Sequence, residues 1–405
     1  MDRVQQTYFR RGFGLKGDIE GALVADYHSR VVDHIRARGY VLSAGDLTFK
    51  LAREFGFCYG VDRAVEYAYE TRTKFPERRV FLVGEIIHNP HVNKKLQAMG
   101  VEFLRRPDDG EFDFAHITPA DVVILPAFGV TVQDFERLRA VGCVLVDTTC
   151  GSVLNVWKRV DSYAKDGFTA VIHGKYHHEE TKATASQVSK YPGGKYLVVR
   201  DMTEAREVCT QIEGAGSAER FLGLFAGKSS PGFDPDRDLV RVGVANQTTM
   251  LSGESLAIAA EIRRSMIRRY GDAALAEHFR TFDTICSATQ DRQDAVLKLI
   301  AEPLDLMVVI GGYNSSNTTH LAAICHEKAP TYHIEDATCI DPKAGTIRFR
   351  PVGGKTEERR EGWLPEGRVT IGVTAGASTP NNKIGETVER IAATRGVTLE
   401  GVSGA

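Results

Sequence analysis

Short apolar runs at 80–83, 122–125, 169–172, 242–245, 306–310 and 369–373 each give way to a small or polar turn and then to helical spacing. Runs of four or five apolar residues followed by such turns predict strands buried on both faces, the grammar of parallel α/β units. A further strand is predicted at 47–52. Helical spacing is clearest after three cysteines: Val61, Ala64, Val65 and Ala68 follow Cys58; Val153, Val156, Trp157 and Val160 follow Cys150; Ala295, Val296, Leu299 and Ile300 follow Cys286. The first two sets fall at i, i+3, i+4 and i+7 and the third at i, i+1, i+4 and i+5, each marking one face of an α-helix, so each cysteine is predicted to sit at a helix N-terminus.

The pattern repeats with a long period. His88 lies 30 residues after Cys58, His178 lies 28 after Cys150, and Asn314 lies 28 after Cys286, each just beyond an apolar run. The expected fold is α/β, with three small α/β domains in a pseudo-threefold array, at 47–149, 150–282 and 283–396. A segment at 1–46, with helical spacing from Tyr27 to Arg38, precedes them and a tail at 397–405 follows. Inserts at 214–241 and 341–368, the second read as an excursion or hairpin, make the third element of each repeat less regular. Ligands in parallel sheets bind beyond the carboxyl ends of strands, so the cysteines and polar turns are expected to meet at a centre.

Composition narrows the chemistry. The formal charge of −2 over 405 residues gives no electrostatic reason to expect nucleic acid or an anionic membrane as partner. No apolar run is long enough for a membrane span, and residues 1–20 lack the apolar core of a secretory signal, so a cytoplasmic protein is expected. Seven cysteines, an odd number without a CxxC pair, fit a reducing compartment better than a disulfide framework.

A thiol at a helix N-terminus faces unpaired amide donors and the positive end of the dipole, which favour the thiolate. Three such thiols suit a structural zinc poorly, because zinc takes a fourth protein ligand and usually recruits close cysteine pairs. An iron–sulfur cluster is also held by thiolates, and three ligands for four irons leave one iron open. Buried core thiols are the plain reading for Cys143, Cys209 and Cys325; Cys339 is assigned to core or loop. Around the three cysteines, His88, His178, Thr248, Thr249, Ser315, Ser316, Asn317 and Ser378 lie where strands turn into helices. Singly each reads as a helix cap; together they make an anion site without a P-loop. Glu180 is placed beside it as a proton donor, whereas Glu179 is expected to face solvent or a salt bridge.

The motifs Gly-Phe-Cys58-Tyr-Gly-Val, Glu-Ile-Ile-His88-Asn, Asp-Thr-Thr-Cys150, His178-Glu-Glu180, Gln-Thr248-Thr249, Ile-Cys286-Ser-Ala-Thr-Gln, Asn-Ser315-Ser316-Asn317 and Thr-Ala-Gly-Ala-Ser378 occur in this order between residues 47 and 396. In that series the chain resembles the 4-hydroxy-3-methylbut-2-enyl diphosphate reductases of the non-mevalonate isoprenoid pathway. The resemblance implies a trefoil of three α/β domains around a central 4Fe-4S cluster held by Cys58, Cys150 and Cys286. It implies an allylic diphosphate substrate, dehydroxylated to isopentenyl and dimethylallyl diphosphate with single electrons from an external donor. His88, His178, Ser315, Ser316, Asn317 and Ser378 would bind the substrate, Thr248 would order its hydroxyl, and Glu180 would relay protons. Two departures stand out: Phe128 where many members have a diphosphate-binding histidine, and Gly151 where proline is usual. Phe128 and the long N-terminal segment resemble the cyanobacterial and plant branch, for which ferredoxin is the expected donor. The rival readings are a zinc-dependent hydrolase of a phosphorylated small molecule and a non-catalytic iron–sulfur or ligand-binding sensor.

Overall fold

The computed structural model describes residues 7–107 and 110–399; residues 1–6 of the N-terminal segment and 400–405 of the tail lie outside it. The described residues group into two compact units, one from residues 7–11, 77–86, 100–107 and 110–286, the other from 12–76, 87–99 and 287–399. The first carries two parallel sheets and the second carries one.

The three sheets repeat one arrangement. In the first, the strands Val144–Asp147, Val122–Leu125, Val80–Val83 and Val101–Leu104 are neighbours in that order, all parallel. In the second the order is Phe279–Thr281, Val242–Asn246, Thr169–His173 and Tyr196–Val199. In the third it is Leu47–Leu51, Val369–Ala375, Leu306–Ile310 and Thr331–Ile334. The inner strands are buried along nearly their whole length, as expected for sheets covered on both faces. In each sheet the strand order reverses between the second and third strands of these series, the position where open α/β sheets hold ligands.

The first strand of each series leads into a cysteine: Asp147 precedes Cys150, Thr281 precedes Cys286 and Leu51 precedes Cys58. A cysteine therefore closes a sheet and opens the next helix, where the sequence repeat had it opening a unit. The strand Leu47–Leu51, placed by sequence at the head of 47–149, pairs with Val369–Val373.

Segment 1–46 contributes to both units. Tyr8–Phe9 adds an edge strand to the first sheet beside Leu145 and Val146, and Val41–Ala44 adds an antiparallel edge to the third. Its helical stretch is two helices, Lys16–Tyr27 and Arg30–Ala37, the second capped by the Ser29 hydroxyl. The insert at 341–368 belongs to a three-stranded antiparallel sheet of Ile340–Asp341, Thr346–Phe349 and Glu358–Glu361. No described helix is long and apolar enough to cross a membrane.

Candidate active site

Each of the three cysteines is fixed by the same backbone bond. The Cys150 N–H donates to Ala127 O at 3.0 Å, that of Cys286 to Thr248 O at 3.3 Å, and that of Cys58 to Ala377 O at 3.2 Å. In all three cases the acceptor lies two residues beyond the neighbouring strand, which ends at Leu125, Asn246 and Ala375. Cys58 and Cys150 are the N-caps of Tyr59–Lys74 and Gly151–Lys165, and neither side chain makes the capping bond that serine or aspartate makes there. Cys286 directly precedes the helix Ser287–Ile300.

The other cysteines differ. Cys58, Cys150 and Cys286 are half-buried, while Cys143, Cys209, Cys325 and Cys339 are buried. Burial pushes the Cys143 and Cys209 thiols up to about 11 and Cys325 to about 12, so these three stay protonated and are poor metal ligands. Cys339 lies 3.8 Å from Arg348 Nη2 within the insert. Three half-buried thiols, soft donors at helix N-termini, fit an iron–sulfur cluster in the chemistry of the donor set.

In the first unit Glu180 is 1% exposed, although it stands in the first turn of Glu179–Ser186. Its carboxylate accepts the Thr248 N–H at 2.6 Å and lies 3.0 Å from the Thr248 hydroxyl. Glu179 is exposed. His178 caps the same helix, its Nδ1 accepting the Glu180 N–H at 3.2 Å. With Nδ1 as acceptor, the neutral ring carries its proton on Nε2. The Phe128 ring meets the His178 ring edge-on, 5.6 Å between centroids and 82° between planes. Phe128 thus supplies a contact orienting an imidazole, a role that sequence comparison with histidine-bearing members does not suggest. Gln247 accepts from Lys175 N at 3.0 Å and from the Thr181 hydroxyl at 3.1 Å, and donates to Thr249 Oγ1 at 2.8 Å, tying the loops after two adjacent strands.

In the second unit Ser315, not Ser316, is the N-cap of Ser316–His326, accepting the Thr318 N–H at 3.3 Å. Ser316 is buried in the first turn. Asn317 Oδ1 accepts the Ala377 N–H at 3.0 Å, while its Nδ2 is buried with no hydrogen-bond partner. A buried amide donor left open costs about 1–3 kcal/mol unless a ligand takes it. Ser378 caps no helix: its hydroxyl donates to His88 O at 3.3 Å, joining the loop after Val369–Ala375 to the segment before Pro90–Ala98. Close approach makes glycine necessary here, since a Cβ on Gly376 would lie 1.9 Å from Thr318 Oγ1. The sequence-derived residues thus fall into two groups: Glu180, Thr248 and His178 in one unit, and His88, Ser315, Asn317 and Ser378 in the other. Residues that sequence reasoning passed over are Asn89, whose side chain caps the helix after His88, and Arg292, buried near Gly56. An Asn-Pro pair signals the first; nothing in the pattern signals the second.

A LytB protein family profile matches residues 49–392. A 4-hydroxy-3-methylbut-2-enyl diphosphate reductase of Gloeobacter violaceus is 51% identical over 404 residues, covering 99% of this chain and 95% of the relative. One of Thermosynechococcus vestitus is 51% identical over 393 residues, covering 97% and 96%. Among solved structures, an (E)-4-hydroxy-3-methyl-but-2-enyl diphosphate reductase described as the terminal enzyme of the non-mevalonate pathway matches with a TM-score of 0.51. It is 28% identical and covers 85% of this chain and 98% of that one. A Plasmodium falciparum reductase, 21% identical with a TM-score of 0.61 over 84% and 86%, shares the fold. With the family profile spanning most of its length and two relatives matching it nearly end to end at half identity, the chain belongs to the LytB family.

Proposed function

We propose that this protein reductively dehydroxylates (E)-4-hydroxy-3-methylbut-2-enyl diphosphate, giving isopentenyl and dimethylallyl diphosphate and water. The reading rests on the thrice-repeated cysteine arrangement, in which one bond from each thiol-bearing residue reaches the same place beside a strand. Cys58, Cys150 and Cys286 would hold a 4Fe-4S cluster at the centre of a trefoil of α/β domains. That group, when bound, supplies electrons one at a time and an open iron for the allylic oxygen.

The chain's own groups do the rest. Breaking the carbon–oxygen bond takes two electrons and two protons, one proton for the departing oxygen and one for the carbon skeleton. Glu180, buried against Thr248, is the proton source, and the Thr248 hydroxyl passes or orders the proton at the substrate oxygen. His178 offers an Nε2 donor to the diphosphate, and Asn317 offers its open amide. His88, Ser315, Ser316 and Ser378 complete the anion site, helped by amides at helix starts. The one-electron donor is ferredoxin, in keeping with the cyanobacterial relatives, and the compartment is the cytoplasm. No observation favours the zinc hydrolase or the sensor.

The test is anaerobic purification with iron, sulfide and zinc analysis, followed by turnover with a reduced one-electron donor. Near four irons per chain and conversion to both allylic and homoallylic diphosphates are expected. Zinc in place of iron, or a loaded protein that turns nothing over, would overturn the reading.

A further inference from the structure

Arg292 stands in the second turn of Ser287–Ile300 and is 4% exposed. One terminal nitrogen donates to Gly56 O at 2.7 Å and the other to Ala288 O at 2.8 Å. Its Nε is buried with no partner, and among the described residues no carboxylate lies within 4.0 Å of the guanidinium. The acids beside it on the helix, Asp291 and Asp294, are exposed, and Asp294 accepts from Gln290 at 2.7 Å.

A buried cation without an anion costs several kcal/mol, and carbonyl dipoles supply only part of what water or a carboxylate would return. Such a residue persists where an anion is expected. Both its carbonyl partners are close in sequence to thiols: Gly56 is two residues before Cys58, and Ala288 is two residues after Cys286. The Gly56 segment is also closely packed and tied at Cys58. Gly56 has φ +77, a Cβ there would lie 2.8 Å from Asn381 Oδ1, and Cys58 N is tied to Ala377 O.

We propose that Arg292 is a positioning residue for the thiolate-held iron–sulfur group: it clamps the backbone next to Cys58 and supplies the buried positive charge that the anionic group requires. This rests on the cluster assignment above. Positive charge nearby favours adding an electron, so Arg292 also raises the reduction potential of the group.

The test compares wild type with Arg292→Met and Arg292→Lys, prepared anaerobically. Three quantities are measured: iron and sulfide per chain, the midpoint potential without substrate, and thermal midpoints of the apo and loaded forms. In Arg292→Met the apo form is expected to be as stable as wild type or more so, the stability gained on loading to shrink, and the potential to fall. In Arg292→Lys, which keeps the charge and loses the two-carbonyl fork, the potential is expected to stay near wild type. Equal loss of stability in the apo and loaded forms of Arg292→Met at unchanged potential would make Arg292 merely structural and overturn the proposal. If Arg292→Met does not fold or load, Arg292→Lys decides: a near-wild-type potential upholds the proposal, and failure to load or a lowered potential ends it. Absence of a cluster from wild type itself would remove the parent reading, a result distinct from any variant-specific loss.

Discussion

Thr248 holds the Glu180 carboxylate in two ways, donating its main-chain N–H at 2.6 Å and placing its hydroxyl 3.0 Å away. A glutamate that served only the helix dipole would project from the first turn into solvent, as Glu179 does, for a gain of about 0.3 to 1 kcal/mol. Glu180 instead is folded inward and linked to the loop whose carbonyl, Thr248 O, receives the Cys286 N–H. Glu180→Gln keeps the size and an acceptor but cannot deliver a carboxyl proton. Turnover is expected to drop by roughly 100-fold or more, the scale of general acid catalysis, with cluster content unchanged. Wild-type turnover at full cluster occupancy would remove Glu180 from the mechanism.

The division of the cysteines makes a second prediction. Replacing Cys58, Cys150 or Cys286 by serine is expected to abolish the visible absorbance of the cluster. Cys143→Ser, Cys209→Ser and Cys325→Ser are expected to retain it, because burial keeps those thiols protonated. Absorbance spectra of anaerobically purified variants decide; full occupancy in Cys150→Ser would sink the ligand set.

How much of this was legible in sequence follows from what each pattern encodes. The inner strands were legible because burial on both faces leaves nearly unbroken apolar runs such as Leu306–Ile310. The helix starts after the cysteines were legible because Ala64, Val65 and Ala68, or Val153, Val156 and Val160, must face a core and do. The outer strand Val101–Leu104 and the short Phe279–Thr281 were not, since partly exposed edges carry weaker patterns, and Tyr196–Val199, though buried from Leu197 to Val199, was passed over. Sheet membership was also hidden. Nothing local in residues 47–51 says that they pair with 369–373, more than 300 residues on, because pairing partners are set by the whole chain. The residue types at the candidate site could be read; the orientation of His178 by Phe128 could not, since it is a contact across 50 residues.

That contact yields a third prediction. An edge-on aromatic pair contributes about 0.5–1.5 kcal/mol beyond area burial. Phe128→Ala frees the His178 ring without removing its Nδ1 bond to Glu180 N. The Michaelis constant is therefore expected to rise about 2- to 10-fold, with kcat and cluster spectrum nearly unchanged. A His178→Ala variant is expected to show the larger rise, and no further rise when Phe128→Ala is added. Additive effects of the two substitutions on KM would show that Phe128 acts on something other than His178.

The fourth prediction concerns acid. His333 is buried, and its Nε2 lies 3.0 Å from Gly311 O, at the start of the loop that leads to Ser315 and into the helix carrying Asn317. Burial, reinforced by nearby Arg350, lowers its pKa to about 4 from an ordinary 6.5. The ring is therefore neutral at pH 7, with Nε2 donating to the carbonyl. Between pH 6.5 and 4 the unfolded chain binds a proton that the folded chain refuses, so stability falls as pH falls through this window and is unaffected by His333 above it. The full effect of a displacement of that size is up to ~3 kcal/mol. His173, buried beside Ser255 Oγ at 2.8 Å and likewise lowered to about 4, adds a similar slope in the other unit. His333→Gln can still donate to Gly311 O and has no titrating ring. Thermal midpoints measured from pH 7 to pH 4 are expected to fall less steeply for His333→Gln than for wild type, with the curves converging in slope above pH 6.5. Parallel curves across the whole range would mean that the buried imidazole takes up its proton without opening the fold.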